Sequence, residues 1–101
     1  RRLRSAGRSR GVSQATRTVL IVNKRGLHAR ASAKLVTLAS SQPVALIVEK
    51  AGSKVTATSI MGLMMLGAAM GDSITISAEG DGAEGAVEAL AELVEGRFGE
   101  D

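Results

Sequence analysis

The sequence predicts an α+β domain: an open-faced sandwich with a four-stranded antiparallel sheet and three helices on one face, in the order β-α-β-β-α-β-α. Three observations lead there. Helical and strand periodicities alternate along the chain. The links between them are short. The strands read apolar on one side and polar on the other, which suits an antiparallel sheet covered on a single face. A chain of 101 residues has room for one such domain with one modest core.

Residues 1–16 are rich in Arg, Ser and Gly without apolar periodicity, so they read as a disordered tail. Arg and Ser without acids also suit an organellar transit peptide or contact with an acidic surface, but an inert solvated tail is the simpler reading. The domain runs over 17–98, followed by a short C-terminal tail at 99–101. Its first strand spans Thr18 to Asn23 and contains the apolar run Val19-Leu20-Ile21-Val22, which reads as buried. The turn Lys24-Arg25-Gly26 leads into a helix from Ala29 to Ser40, with Ala31, Leu35, Leu38 and Ala39 at helical spacing. Pro43 closes that segment. Strand two covers Val44 to Glu49, and Lys50-Ala51-Gly52-Ser53 is a hairpin turn into strand three, Lys54 to Thr58. Ser59 is a suitable N-cap for a short apolar helix, Ile60 to Leu66, which Gly67 ends. Strand four, Ser73 to Ala78, alternates Ile74, Ile76 and Ala78 with Thr75 and Ser77. The last helix, Ala83 to Glu95, has a buried stripe of Ala86, Val87, Leu90, Leu93 and Val94. Its Glu84, Glu88, Glu92 and Glu95 form a solvated face.

Composition removes several classes of function. Cys is absent and His28 is the only histidine, so a disulfide, a thiolate metal site and a zinc centre are not expected. No apolar run approaches the length of a membrane span, so membrane insertion is not expected either. Phe98 is the only aromatic, so the core is aliphatic and there is no platform on which nucleic-acid bases stack. The net charge of +3 is a sum of unlike parts. Residues 1–17 hold six arginines and no acid, whereas residues 18–101 hold seven basic and ten acidic side chains. The basic character therefore belongs to the tail.

The stretch with chemistry in it is Gly26-Leu27-His28-Ala29-Arg30. It lies where a strand turns into a helix, and Gly26 gives the chain freedom for a tight turn. The first amides of a helix lack internal partners and carry the positive end of its dipole, so they attract a phosphoryl group. Arg30 adds a planar fork of donors. An imidazole, free amides and a guanidinium thus converge on one spot, and His28 reads as a phosphoryl acceptor and donor. A bland alternative is a histidine that caps its own turn. No serine sits in a nucleophile elbow and no Walker A loop is present, so triad hydrolysis and nucleotide binding are poor rivals. A second stretch, Thr56-Ala57-Thr58-Ser59-Ile60-Met61-Gly62-Leu63-Met64-Met65-Leu66-Gly67, crowds more large apolar side chains than a short helix can bury. Part of it is therefore an exposed, adaptable surface. Ser59 is a plain N-cap, a regulatory phosphorylation site, or both.

Val22-Asn23-Lys24-Arg25-Gly26-Leu27-His28-Ala29-Arg30 and Thr58-Ser59-Ile60-Met61-Gly62-Leu63-Met64, in register downstream, resemble the HPr histidine phosphocarriers of the bacterial phosphoenolpyruvate-dependent phosphotransferase system. The resemblance runs from about residue 16 to residue 98. It implies that His28 takes a phosphoryl group on Nδ1 from phosphorylated enzyme I and passes it to enzyme IIA domains in sugar uptake. Arg30 would be the partner of that phosphate. Ser59 would be the position modified by an ATP-dependent HPr serine kinase/phosphorylase, and Ile60, Met61 and Met64 the docking surface. A cytoplasmic, monomeric carrier without cofactors follows, a substrate of enzymes and not itself one. A regulatory, nitrogen-related phosphorelay paralogue is the alternative inside the family. Outside it, the rival is a nucleic-acid-associated α/β domain led by the basic arm. One departure stands out: Ala31 occupies the place where the family usually has proline, a residue that stiffens the first helical turn.

Overall fold

The computed structural model describes residues 14–100; the expectations for residues 1–13 and for Asp101 fall outside these described residues. Four strands, β1 (Gln14–Leu20), β2 (Leu46–Lys50), β3 (Ser53–Thr56) and β4 (Ser73–Glu79), form one sheet in the order β1-β4-β2-β3. Every neighbouring pair is antiparallel. The helices are α1 (Ala29–Ser40), α2 (Ile60–Met65) and α3 (Ala83–Glu95), followed by a 3-10 turn at Arg97–Gly99.

The strands alternate as a one-faced sheet requires. Val19, Leu46, Val48, Ile74, Ile76 and Ala78 are buried beneath the helices, together with Leu35 of α1, Leu63 of α2 and Ala86, Val87, Leu90, Ala91 and Val94 of α3. The opposite face is open, and Thr18 and Thr75 share a hydroxyl hydrogen bond across it at 3.0 Å.

Several boundaries differ from the sequence reading. β1 starts at Gln14, so Gln14, Ala15 and Thr16, expected in the tail, belong to the sheet. The run 19–22 is not uniformly buried: Val19 and Ile21 point inward, while Leu20 is 49% exposed on the open face. Alternation in a one-faced sheet overrides local hydrophobicity here. Ile21 continues the pairing beyond the strand proper, its N–H donating to the carbonyl of Asp72 at 2.8 Å. Arg17, counted with the basic tail, faces α3 and bonds Glu88 and Glu95, the latter at 2.9 Å. Half of the supposedly solvated glutamate face is therefore engaged. The hairpin turn is as expected, with Ala51 and Gly52 both at positive φ, the backbone that matches strand twist. Phe98 is buried at 1% exposure, so the aliphatic core has one aromatic plug supplied from beyond α3.

Candidate functional site

The turn before α1 is built around close approach. Gly26 has φ +64, and a Cβ there would lie 2.4 Å from the carbonyl oxygen of Ala68. The Leu27 N–H donates to that same oxygen at 2.9 Å. No side chain fits, so only glycine lets the loop lie against residues 68 and 69. Asn23, fully buried, ties the loop from inside by donating its Nδ2 to the Gly26 carbonyl at 2.9 Å. These contacts place His28 as the N-cap of α1, in extended backbone, with its carbonyl accepting the first helical bond from Ser32 N at 2.9 Å.

The imidazole is held at both nitrogens. Nδ1 accepts from the backbone N–H of Arg30 at 3.3 Å. Nε2 lies 2.7 Å from Oε2 of Glu100. One nitrogen meets a donor and the other a carboxylate, so these partners assign the ring hydrogen to Nε2 and leave the Nδ1 lone pair at the helix N-terminus. The capping alternative and the phosphoryl-acceptor reading therefore involve the same atom: Nδ1, the ring nitrogen without hydrogen, is the one that caps the helix. A phosphoryl group on Nδ1 would inherit the amides and the dipole. Beside Glu100, Lys24, Arg25, Arg30 and Lys34 line an open cavity together with Gly99. Arg30 is exposed, as an anion partner must be.

Glu100 is the site residue that sequence reading missed. Its Oε1 accepts from Asn23 Nδ2 at 3.1 Å. Burial works against its charge, but hydrogen bonds from Asn23 and His28 and the positive charge of Lys34 outweigh burial. The carboxyl is held below the usual carboxylate range. The signal available in the sequence was only an acid shortly after an apolar anchor, Phe98.

The second stretch divides as crowding required. Leu63 and Leu66 are buried, while Ile60 (40%), Met61 (69%), Met64 (40%) and Met65 (80%) are exposed. Helix α2 packs against α1 and β3. Ser59 caps α2 by accepting from Gly62 N at 3.0 Å. A Cβ on Gly62 would meet Ser59 Oγ at 3.0 Å and Val55 Cβ at 3.1 Å, so Gly62 keeps that cap close. The other end of α2 is closed by Lys50, whose Nζ donates to the carbonyls of Leu66 and Gly67 at 3.3 Å each. Ala31 is the third residue of α1 and wholly buried. Among the described residues no group of His, Cys, Asp and Glu is arranged to hold a metal ion, and no helix is long and apolar enough to cross a membrane.

Comparison with known proteins identifies the family. The family model for the "PTS HPr component phosphorylation site" matches residues 15–96. The phosphocarrier protein HPr of Cupriavidus necator is 45% identical over 84 residues, covering 83% of this chain and 94% of that protein. The phosphocarrier protein NPr of Shewanella violacea is 42% identical, covering 83% and 92%. Among solved structures, HPr-C-His from Thermoanaerobacter tengcongensis superposes with a TM-score of 0.82 at 47% identity, covering 86% of this chain and 98% of that one. With a matching fold, a matching phosphorylation-site signature and nearly full-length relatives, the chain belongs to the HPr family of phosphotransferase-system phosphocarriers.

Proposed function

We propose that His28 accepts a phosphoryl group on Nδ1 from phosphorylated enzyme I and donates it to enzyme IIA domains, acting as a cytoplasmic, monomeric shuttle for sugar uptake. The observation that carries this reading is the ring orientation. Nδ1 is the nitrogen without hydrogen, its lone pair accepting a long bond of 3.3 Å from the Arg30 amide that it gives up when it attacks, and Nε2–H is turned away onto Glu100. Transfer then needs no general base. Nδ1 attacks phosphorus, the bond to the donor breaks, and the oxygens find the helix amides and the Arg30 guanidinium. Ile60, Met61 and Met64 form the apolar docking surface, and Ser59, at its rim, is the site of regulation by an ATP-dependent serine kinase. A doubly charged group there would repel partners that present carboxylates or apolar surface.

The test is incubation with phosphoenolpyruvate and enzyme I. One acid-labile phosphate is expected, on His28, and none on His28→Ala, whose fold should persist because the side chain lies outside the core. Phosphate accepted by the His28→Ala protein would overturn the reading. A nitrogen-related relay is the second reading, favoured by the 42% identity to an NPr. Comparing transfer rates from the sugar-branch and the nitrogen-branch enzyme I decides between them.

A further inference from the structure

In the phosphocarrier reading Glu100 serves only as the acceptor that fixes the resting ring orientation. Its placement is nonetheless heavily constrained. The His28 and Glu100 side chains are 15% and 17% exposed, and their contact at 2.7 Å is the shorter of the two the ring makes. Asn23, anchored on Gly26, orients the other carboxylate oxygen, so one buried amide braces both the turn and the acid. The backbone that delivers Glu100 is strained. Arg97 and Phe98 stand at φ 61 and 54, a region that side chains disfavour. The buried Phe98 ring, the bond from Lys34 Nζ to the Phe98 carbonyl at 2.7 Å and the bond from Glu100 N to the Arg97 carbonyl at 2.8 Å hold it there.

Phosphoryl chemistry at Nδ1 gives this arrangement a use. When the lone pair of Nδ1 forms the N–P bond and Nε2 keeps its hydrogen, the ring acquires a formal positive charge. On donation, the N–P bond breaks and its electron pair returns to Nδ1. With hydrogen on Nε2 the departing group is neutral imidazole; without it, the departing group is imidazolate, a far poorer one. Resting on the phosphocarrier reading, we propose that Glu100 is the positioning residue that keeps the hydrogen on Nε2 through both half-reactions. His28 then attacks and departs as the same neutral tautomer. No proton is exchanged, and Glu100 stays a carboxylate throughout, the counter-charge to the phosphorylated ring. Among the described residues, the other charged groups lining this region are Lys24 and Arg25 of the preceding turn and Arg30 and Lys34 of α1, with Arg97 three positions before Glu100 in the chain. Helix α2 contributes no charged residue between Ile60 and Met65. All five are bases retained in every variant below, so their influence cancels in comparison.

The experiment follows phosphorylated wild type, Glu100→Gln and Glu100→Ala from about pH 5.5 to 9.5, recording loss of the phosphoryl group to water and the 31P shift of the phosphohistidine. Hydrolysis in water removes partner docking from the measurement. In acid, where every ring carries its Nε2 hydrogen, the three rates should coincide. On the alkaline side the rates and 31P transitions of both variants should move about one pH unit or more to lower pH. Glu100→Gln keeps an acceptor without the charge and guards against misfolding of Glu100→Ala. Coincident profiles, or a constant factor at every pH, would overturn the assignment while leaving phosphate on His28 and the phosphocarrier reading intact. Phosphate missing from His28 in the wild type would remove both.

Discussion

Arg30 contributes to the site twice, through its backbone amide on Nδ1 of His28 and through an exposed guanidinium on the cationic rim. Truncation separates the two. Arg30→Ala retains the amide, so stability should stay within about 0.5 kcal/mol of wild type. It loses a charge-assisted contact to the phosphoryl oxygens, and transfer should slow by about tenfold or more. Arg30→Lys should recover only part of that, because a point charge replaces a fork. Stopped-flow transfer from enzyme I beside thermal melts checks both halves, and unchanged kinetics would remove Arg30 as a phosphate partner. This pair was legible because two positions of chain separate histidine from arginine, and a helix N-terminus fixes what that spacing means. Glu100 was illegible for the opposite reason. It lies 72 positions from His28, and only the fold of the whole sheet, with Phe98 sunk into it, brings the two together.

At the scale of elements, periodicity placed the long helices well: α1 and α3 begin and end where the spacing put them. Strand ends were harder. Gln14 and Thr16 face outward and look like tail until Ala15 and Arg17 are seen alternating with them against α3. Helix α2 shows local chemistry most clearly, with Ser59 closing one end and Lys50 the other. Ser59→Ala should cost about 1 kcal/mol, since the Gly62 amide loses its partner. Ser59→Asp preserves an acceptor at that amide and should melt near wild type. If Ser59 also regulates, Ser59→Asp will slow transfer from enzyme I while Ser59→Ala transfers normally at temperatures where it is folded. Equal transfer by all three proteins would reduce Ser59 to a cap.

For the molecule as a whole, acid is the revealing perturbation. Asp72 accepts from Ala69 N at 2.9 Å and faces Lys50 at 3.4 Å, and these contacts hold its carboxyl below the usual range. A carboxyl lowered by folding stabilises the native state above its unfolded value, and that contribution fades as pH falls through the folded one. Glu100 is lowered as well, so both act in the same direction. Melting temperature should therefore hold above about pH 5 and decline below about pH 4. Asp72→Asn should melt lower than wild type near neutrality and converge with it in strong acid; a gap that persists in acid would show a role other than charge. The pairing of β1 with β4 has a consequence in time. On a ribosome adding about 5 to 20 residues each second, the first strand emerges seconds before its partner. Until β4 follows, Val19 and Ile21 have no sheet to enter. The imidazole stays an ordinary side chain of a waiting polymer, and the geometry around it arrives all at once, when the segment that carries Glu100 has emerged.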